Sequence, residues 1–175
     1  MERGKTHEFN EIIFDYSSKK YRLIDTPGHQ SFILSMISGI ARKVNTAILV
    51  VSMLENEFEA SFERGTLKEH LILVRATGIE HLIIVGNKMD GIEWSEEKYN
   101  SIITKIKKFL TRIQWKKTNI HSLPISAFNG TNIKDVDDTI SWYKGNSLLE
   151  IIVDITTNTC KKIDNNAELF TPMKH

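Results

Sequence analysis

The apolar residues of this chain fall into short runs that switch between two periods. Over residues 8–16, Phe9, Ile12, Phe14 and Tyr16 alternate in part with polar neighbours, the two-residue period of a strand. Ser17-Ser18-Lys19-Lys20 is a polar turn and residues 21–24 form a second apolar stretch, so the two predict a hairpin. Residues 31–41 place Phe32, Ile33, Met36, Ile37 and Ile40 at helical spacing. Residues 46–53 carry Ala47-Ile48-Leu49-Val50-Val51 without a break, which predicts a strand buried on both faces beneath helices. The acidic, aromatic stretch 55–62 reads as a loop. Helical spacing returns over 67–77 (Leu67, His70, Leu71, Val74), and Leu82-Ile83-Ile84-Val85 marks another buried strand over 81–86. A charged helix is predicted over 95–113. Ser95 is suited to its N-cap, and Glu96 and Glu97 complement the dipole in its first turn. Residues 120–125 predict a last short strand, Asn129-Gly130 a turn, and 147–155 a final helix. Residues 163–175 show little periodicity.

Strands alternating with helices predict an α/β domain of three layers around a mostly parallel sheet. No Pro-rich linker or repeat divides the 175 residues, so we expect one domain over 1–155 and a loose tail over 156–175. Composition mainly excludes. Hydrophobic residues make up 41% and charged residues 26%, ordinary for a globular chain. The net charge of +1 gives no electrostatic footprint for nucleic acid, and direct DNA binding is not expected. The basic face Lys105, Lys107, Lys108, Arg112, Lys116 and Lys117 is read as solvated, with contact to ribosomal RNA as the sharper alternative. Cys160 is the only cysteine, which excludes an internal disulfide. The histidines outside the motif described next show no ligand spacing. No apolar run approaches the ~18 residues of a membrane span, and the first five residues have no apolar signal region, so cytosol is the expected compartment and no membrane partner is expected.

Two motifs stand at strand ends, where ligands of parallel sheets bind. Asp25-Thr26-Pro27-Gly28-His29 combines a carboxylate able to hold a water of bound Mg²⁺ with a glycine that lets the backbone approach a terminal phosphate. His29 follows at a helix start, where it can orient an attacking water. Read blandly, this is a strand-turn-helix corner. Asn87-Lys88-Met89-Asp90 supplies what guanine requires. A fixed Asp90 accepts from N1–H and the exocyclic amine, Asn87 ties the loop, and the Lys88 stem covers the base face. Read blandly, this is a polar strand-end turn. Pro124-Ile125-Ser126-Ala127-Phe128 follows the next strand, and Ser126 and the Ala127 amide can reach the base carbonyl from behind. Order and position together make these three a GTP-binding signature.

On these residues the chain resembles a translational GTPase of the elongation factor 1-alpha group, over about residues 2–152. Glu2-Arg3-Gly4-Lys5-Thr6 is similar to the family's first switch and residues 25–29 to its second. Glu57-Phe58-Glu59-Ala60 with Phe62-Glu63, then Lys68-Glu69-His70, resembles a segment shared by release factor 3 and the ribosome-rescue GTPase that partners Pelota. The three residues between Asp90 and Trp94, Leu73-Val74-Arg75, and Trp142-Tyr143-Lys144-Gly145 favour the rescue branch, while Lys5 resembles release factor 3. The resemblance implies GTP or GDP with Mg²⁺, and a switch ordered by the γ-phosphate. Thr6 and Asp25 would serve the metal, Gly28 would sense the γ-phosphate, and His29 would position the hydrolytic water. Asn87, Lys88, Asp90, Ser126, Ala127 and Phe128 would bind the nucleotide. The implied partners are the ribosome and a Pelota-type or release-factor-type tRNA-mimic protein.

The sequence departs from the family in three ways. The phosphate loop G-x-x-x-x-G-K-[ST], which with its lysine carries most β/γ-phosphate binding, does not occur in these residues, nor do the strand and helix around it. Gly65-Thr66-Leu67-Lys68-Glu69-His70 shortens the family's G-G-Q-T-[RK]-E-H. The two β-barrels that follow the family's GTPase domain do not occur in these residues. The missing strand belongs between the strand ending at Asp25 and the strand over 46–53, so we expect two unpaired strand edges and a chain that folds poorly alone or binds something across the gap. Beside ribosome rescue, the alternatives are the GTPase domain of release factor 3 or of elongation factor 1-alpha, and a degenerate, non-hydrolysing binding module in place of an enzyme.

Overall fold

The computed structural model describes residues 10–25 and 44–167, with the backbone alone for 10 and 159–167. Its strands are β1 (Asn10–Tyr16), β2 (Lys19–Asp25), β3 (Thr46–Ser52), β4 (His81–Asn87) and β5 (Ile120–Pro124). Its helices are α1 (Glu55–Phe62), α2 (Leu67–Ala76), α3 (Glu96–Arg112) and α4 (Leu148–Ala167). The predicted helix over 31–41 lies outside the described residues.

β1 and β2 form the expected hairpin, in register from Asn10 opposite Asp25 to Tyr16 opposite Lys19. Ser17 and Ser18 close it with φ of 49° and 58°, both left-handed, as a two-residue turn matched to the twist of its strands requires. The other three strands form a parallel sheet in the order β3-β4-β5, with Ser52 opposite Asn87 and Gly86 opposite Pro124.

β4 is central, and its period of two sorts its side chains to opposite faces. Leu82 and Ile84 face a core built with Phe58, Phe62, Leu71, Ile102, Ile106 and Leu110 from α1, α2 and α3. Ile83 and Val85 face a second core with Leu123, Ile151 and Ile155. Helices therefore cover both faces, which is the predicted three-layer arrangement. α3 presents Tyr99, Ile102, Ile103, Ile106 and Leu110 as one buried stripe, and the Ser95 side chain caps it by accepting from the Lys98 amide at 3.4 Å.

Three expectations need correction. Residues 55–62 are a helix, not a loop. Glu55 and Glu57 favour its first turn, and Phe58 and Phe62 stack one turn apart at 5.0 Å between ring centroids. β3 is not buried on both faces: only Val51 is buried, and Val50 is 59% exposed. The cause is its unshared edge, because among the described residues β3 pairs with β4 alone and the hairpin pairs with itself. α4 runs well past residue 155, and its second half occupies residues assigned to the tail. Its start is a capping box in which the Ser147 amide donates to Glu150 Oε2 at 2.8 Å and the Glu150 amide returns a 3.4 Å bond to Ser147 Oγ. The hairpin reaches this helix through Lys19 Nζ, which donates to Thr157 Oγ1 at 2.7 Å.

Candidate functional site

The carboxyl ends of β3, β4 and β5 lie side by side, since the strands are parallel and in register there. The chain leaves β4 through Gly86 and Asn87. A Cβ on Gly86 would sit 2.9 Å from the Tyr99 ring and 3.1 Å from Met53, so only glycine lets α3 and the β3 end close on this point. A short 3₁₀ turn, Met89–Ile92, follows. Met89 and Ile92 are buried and anchor it, while Lys88 and Asp90 are exposed. The Met89 amide donates to the Ile125 carbonyl at 3.2 Å, and Trp94 returns to the Met89 carbonyl at 3.0 Å. Lys88, Glu93 and Trp94 take φ of 64°, 53° and 55°. Each left-handed non-glycine residue costs about 1–2 kcal/mol, so this short loop holds a shape that only its anchors maintain.

Polar contacts then join this loop to the loop after β5. Asn87 Oδ1 accepts from the Lys88 amide at 2.8 Å and from the Ala127 amide at 2.9 Å. Ser126, fully buried, donates its hydroxyl to Asp90 Oδ1 at 2.6 Å. The same Ser126 oxygen accepts from the Asn129 amide at 3.3 Å. Asn132, also fully buried, braces the loop from beneath. Its Nδ2 donates to the Pro124 carbonyl at 3.0 Å and its Oδ1 accepts from the Asp137 amide at 2.8 Å. With Oδ1 held by Ser126, the Asp90 carboxylate has a fixed plane and presents Oδ2 and its remaining lone pairs to a pair of parallel N–H donors. A neutral aromatic base edge with two adjacent donors is the chemistry it matches.

Lys88 is fixed at both ends. Its amide is held by Asn87, and its Nζ lies 2.6 Å from Glu57 Oε2 on α1. The Lys88 ammonium, and next the Ser52 hydroxyl, hold the Glu57 carboxyl below the usual glutamate range.

Of the residues singled out in the sequence, Asn87, Lys88, Asp90, Ser126 and Ala127 converge on one place. Phe128 continues the same loop with its ring 94% exposed. Asp25 ends β2 and is exposed. Thr6, Gly28 and His29 lie outside the described residues. Two contributors were not read from the sequence. Asn132 carried no signal beyond its place after a turn, and Glu57 acquires its role only once residues 55–62 are helical.

The profile of the elongation factor Tu GTP binding domain matches residues 1–158. A eukaryotic peptide chain release factor GTP-binding subunit from Schizosaccharomyces pombe is 40% identical, over 98% of this chain and 26% of its own length. Elongation factor 1-alpha 2 of Euplotes crassus is 38% identical, over 87% of this chain and 35% of its own. Among solved structures, sup35 complexed with GDP superposes with a TM-score of 0.67 at 38% identity, covering 81% of this chain and 33% of that one. The chain thus spans about a quarter to a third of the relatives it matches.

Proposed function

The chain belongs to the elongation factor Tu GTP-binding domain family, and from that premise we propose that it is the nucleotide domain of a translation factor, binding GTP and GDP and coupling GTP hydrolysis to ribosome rescue and mRNA surveillance in the cytoplasm. The observation that carries the nucleotide reading is the junction of the two loops. Asn87 Oδ1 ties Lys88 to Ala127 while Ser126 pins Asp90, so segments far apart in sequence build one reader of a guanine edge.

In this reading Asp90 accepts from guanine N1–H and the exocyclic amine. The Lys88 stem covers one face of the base, and the Ala127 region approaches the base carbonyl. Phe128 lies at the rim of the site. Gly28 senses the γ-phosphate and His29 orients the attacking water. Asp25 is an exposed oxygen donor at a strand end and so suits a hard cation, and with Thr6 it would hold Mg²⁺, which neutralises charge on the phosphate oxygens. The partners are the ribosome and a tRNA-mimic protein of the Pelota type.

The rescue branch is supported by the contact between two of its sequence marks. Trp142 Nε1 donates to the Trp94 carbonyl at 2.8 Å, so the W-Y-K-G segment packs on the short connection after Asp90. A second reading, the nucleotide domain of a release factor, is favoured by a match to the release factor subunit that extends over 98% of this chain. A third reading is a domain that binds partners without hydrolysis.

Titration of the chain with fluorescent GDP, competed by unlabelled guanine and adenine nucleotides, tests nucleotide binding. Phosphate release with ribosomes stalled on truncated mRNA or halted at a stop codon then separates the readings. We expect guanine-selective binding and phosphate release stimulated by stalled ribosomes. Absence of any binding contradicts the proposal, stimulation only at stop codons selects the release-factor reading, and binding without hydrolysis selects the third.

A further inference from the structure

We propose that Glu57 is a positioning residue for the nucleotide base: from α1 it holds the Lys88 stem where the base face lies and so slows guanine nucleotide release. The inference rests on the nucleotide reading above and goes beyond it, because no family motif assigns Glu57 this role.

The geometry is specific. Lys88 follows Asn87 in a left-handed conformation, with φ of 64° and ψ of 35°. Its amide is fixed by Asn87 Oδ1, so its Cα–Cβ direction is set by the base-reading loop itself. Its Nζ ends on Glu57 Oε2 at 2.6 Å across 31 residues of sequence. A flexible four-carbon stem is thereby stretched between two fixed points instead of sampling its rotamers, and losing that freedom before a ligand arrives removes a cost from binding.

Glu57 is itself placed. It lies in the first turn of α1, whose dipole favours a carboxylate there. The backbone between β3 and α1 is fastened to the loop by the Met53 amide, which donates to the Asn87 carbonyl at 2.9 Å. The Leu54 amide is held by Ser52 Oγ at 3.2 Å. The carboxylate is lowered in pKa by the Lys88 and Ser52 hydrogen bonds, in keeping with an ionised partner. Both side chains remain about half exposed, so the effect is graded and salt-sensitive.

The test is a double-mutant cycle of Glu57→Gln and Lys88→Ala in the full chain, read by stopped-flow release of fluorescent GDP. We expect each single variant to speed release by roughly two- to fivefold, and the double variant to add little. High salt should erase the difference between wild type and Glu57→Gln. Unchanged release in Glu57→Gln, or additive effects, overturns the inference. If the wild-type chain binds no GDP, the nucleotide reading fails separately, and the positioning claim is decided on the nucleotide-free chain. There Glu57→Gln must speed hydrogen exchange at the Lys88 amide, and Lys88→Ala must raise the Glu57 carboxyl toward the ordinary glutamate range by NMR titration, the Ser52 hydrogen bond still holding part of the lowering. Failure of either overturns it.

Discussion

Asp90 shows how a short motif becomes a reader only through residues outside it. Its carboxylate gains direction from the buried Ser126 hydroxyl at 2.6 Å. Hydrogen bonds to charged groups contribute about 1.5–3 kcal/mol, so Ser126→Ala, which also frees the Asn129 amide, should weaken GDP binding about tenfold or more. Titration with fluorescent GDP measures this, and unchanged affinity would mean that Asp90 is oriented by something else. At Gly86 the prediction concerns stability. An added methyl meets the buried Tyr99 ring at 2.9 Å, and overpacking of this kind costs about 1–3 kcal/mol. Gly86→Ala should therefore lower the urea midpoint at unchanged m-value. Asn87, Lys88, Asp90, Ser126 and Ala127 were all legible, because their chemistry is local to short strings. Asn132 and Glu57 were not, because their meaning lies in partners 8 and 31 residues away.

Most elements were legible where hydrophobic period and capping residues agreed. The buried strand β4 and the Ser95-capped helix α3 are the clearest cases. α1 was missed because its acidic composition outweighed the four-residue spacing of Phe58 and Phe62. β3 shows the opposite failure: its apolar run implied burial on both faces, yet burial also depends on a neighbour along the edge. At the start of β4 and in β5, His81 and His121 face each other with ring centroids 6.4 Å apart. Burial, and next the charge of His81, lower the pKa of His121, and Asp154 opposes them only in part. A histidine with a folded pKa below its unfolded value is kept neutral by folding. Its contribution is complete above about pH 6.5 and is lost as pH falls from there toward the folded value. Thermal melts at about pH 7.5 and 5.5 should show a smaller acid-induced drop for His121→Gln than for wild type. An equal drop in both would assign the acid sensitivity elsewhere.

Across the whole molecule, the central sheet is well covered and its neighbour is not. Ile12 and Ile13 of β1, Leu23 of β2 and Val50 of β3 are exposed apolar side chains on strands whose edges share no partner among the described residues. Exposed apolar residues on open strand edges invite association. The chain as given should therefore melt broadly, with a midpoint that shifts with concentration. A single sharp transition independent of concentration, from a monomer by light scattering, would contradict this.

The central claim is that the two loops after β4 and β5 read guanine through Asp90. Asp90→Asn replaces one acceptor oxygen by a donor, which reverses the match at the base edge: guanine offers N–H there, and xanthine offers a carbonyl. The most direct measurement is competition of fluorescent GDP and fluorescent XDP on wild-type and Asp90→Asn chains. The account predicts that wild type prefers GDP and that the variant loses GDP while gaining XDP by at least about tenfold, the change expected when a donor replaces an acceptor in a desolvated site. Equal loss of both nucleotides, or no preference in the wild-type chain, would contradict it.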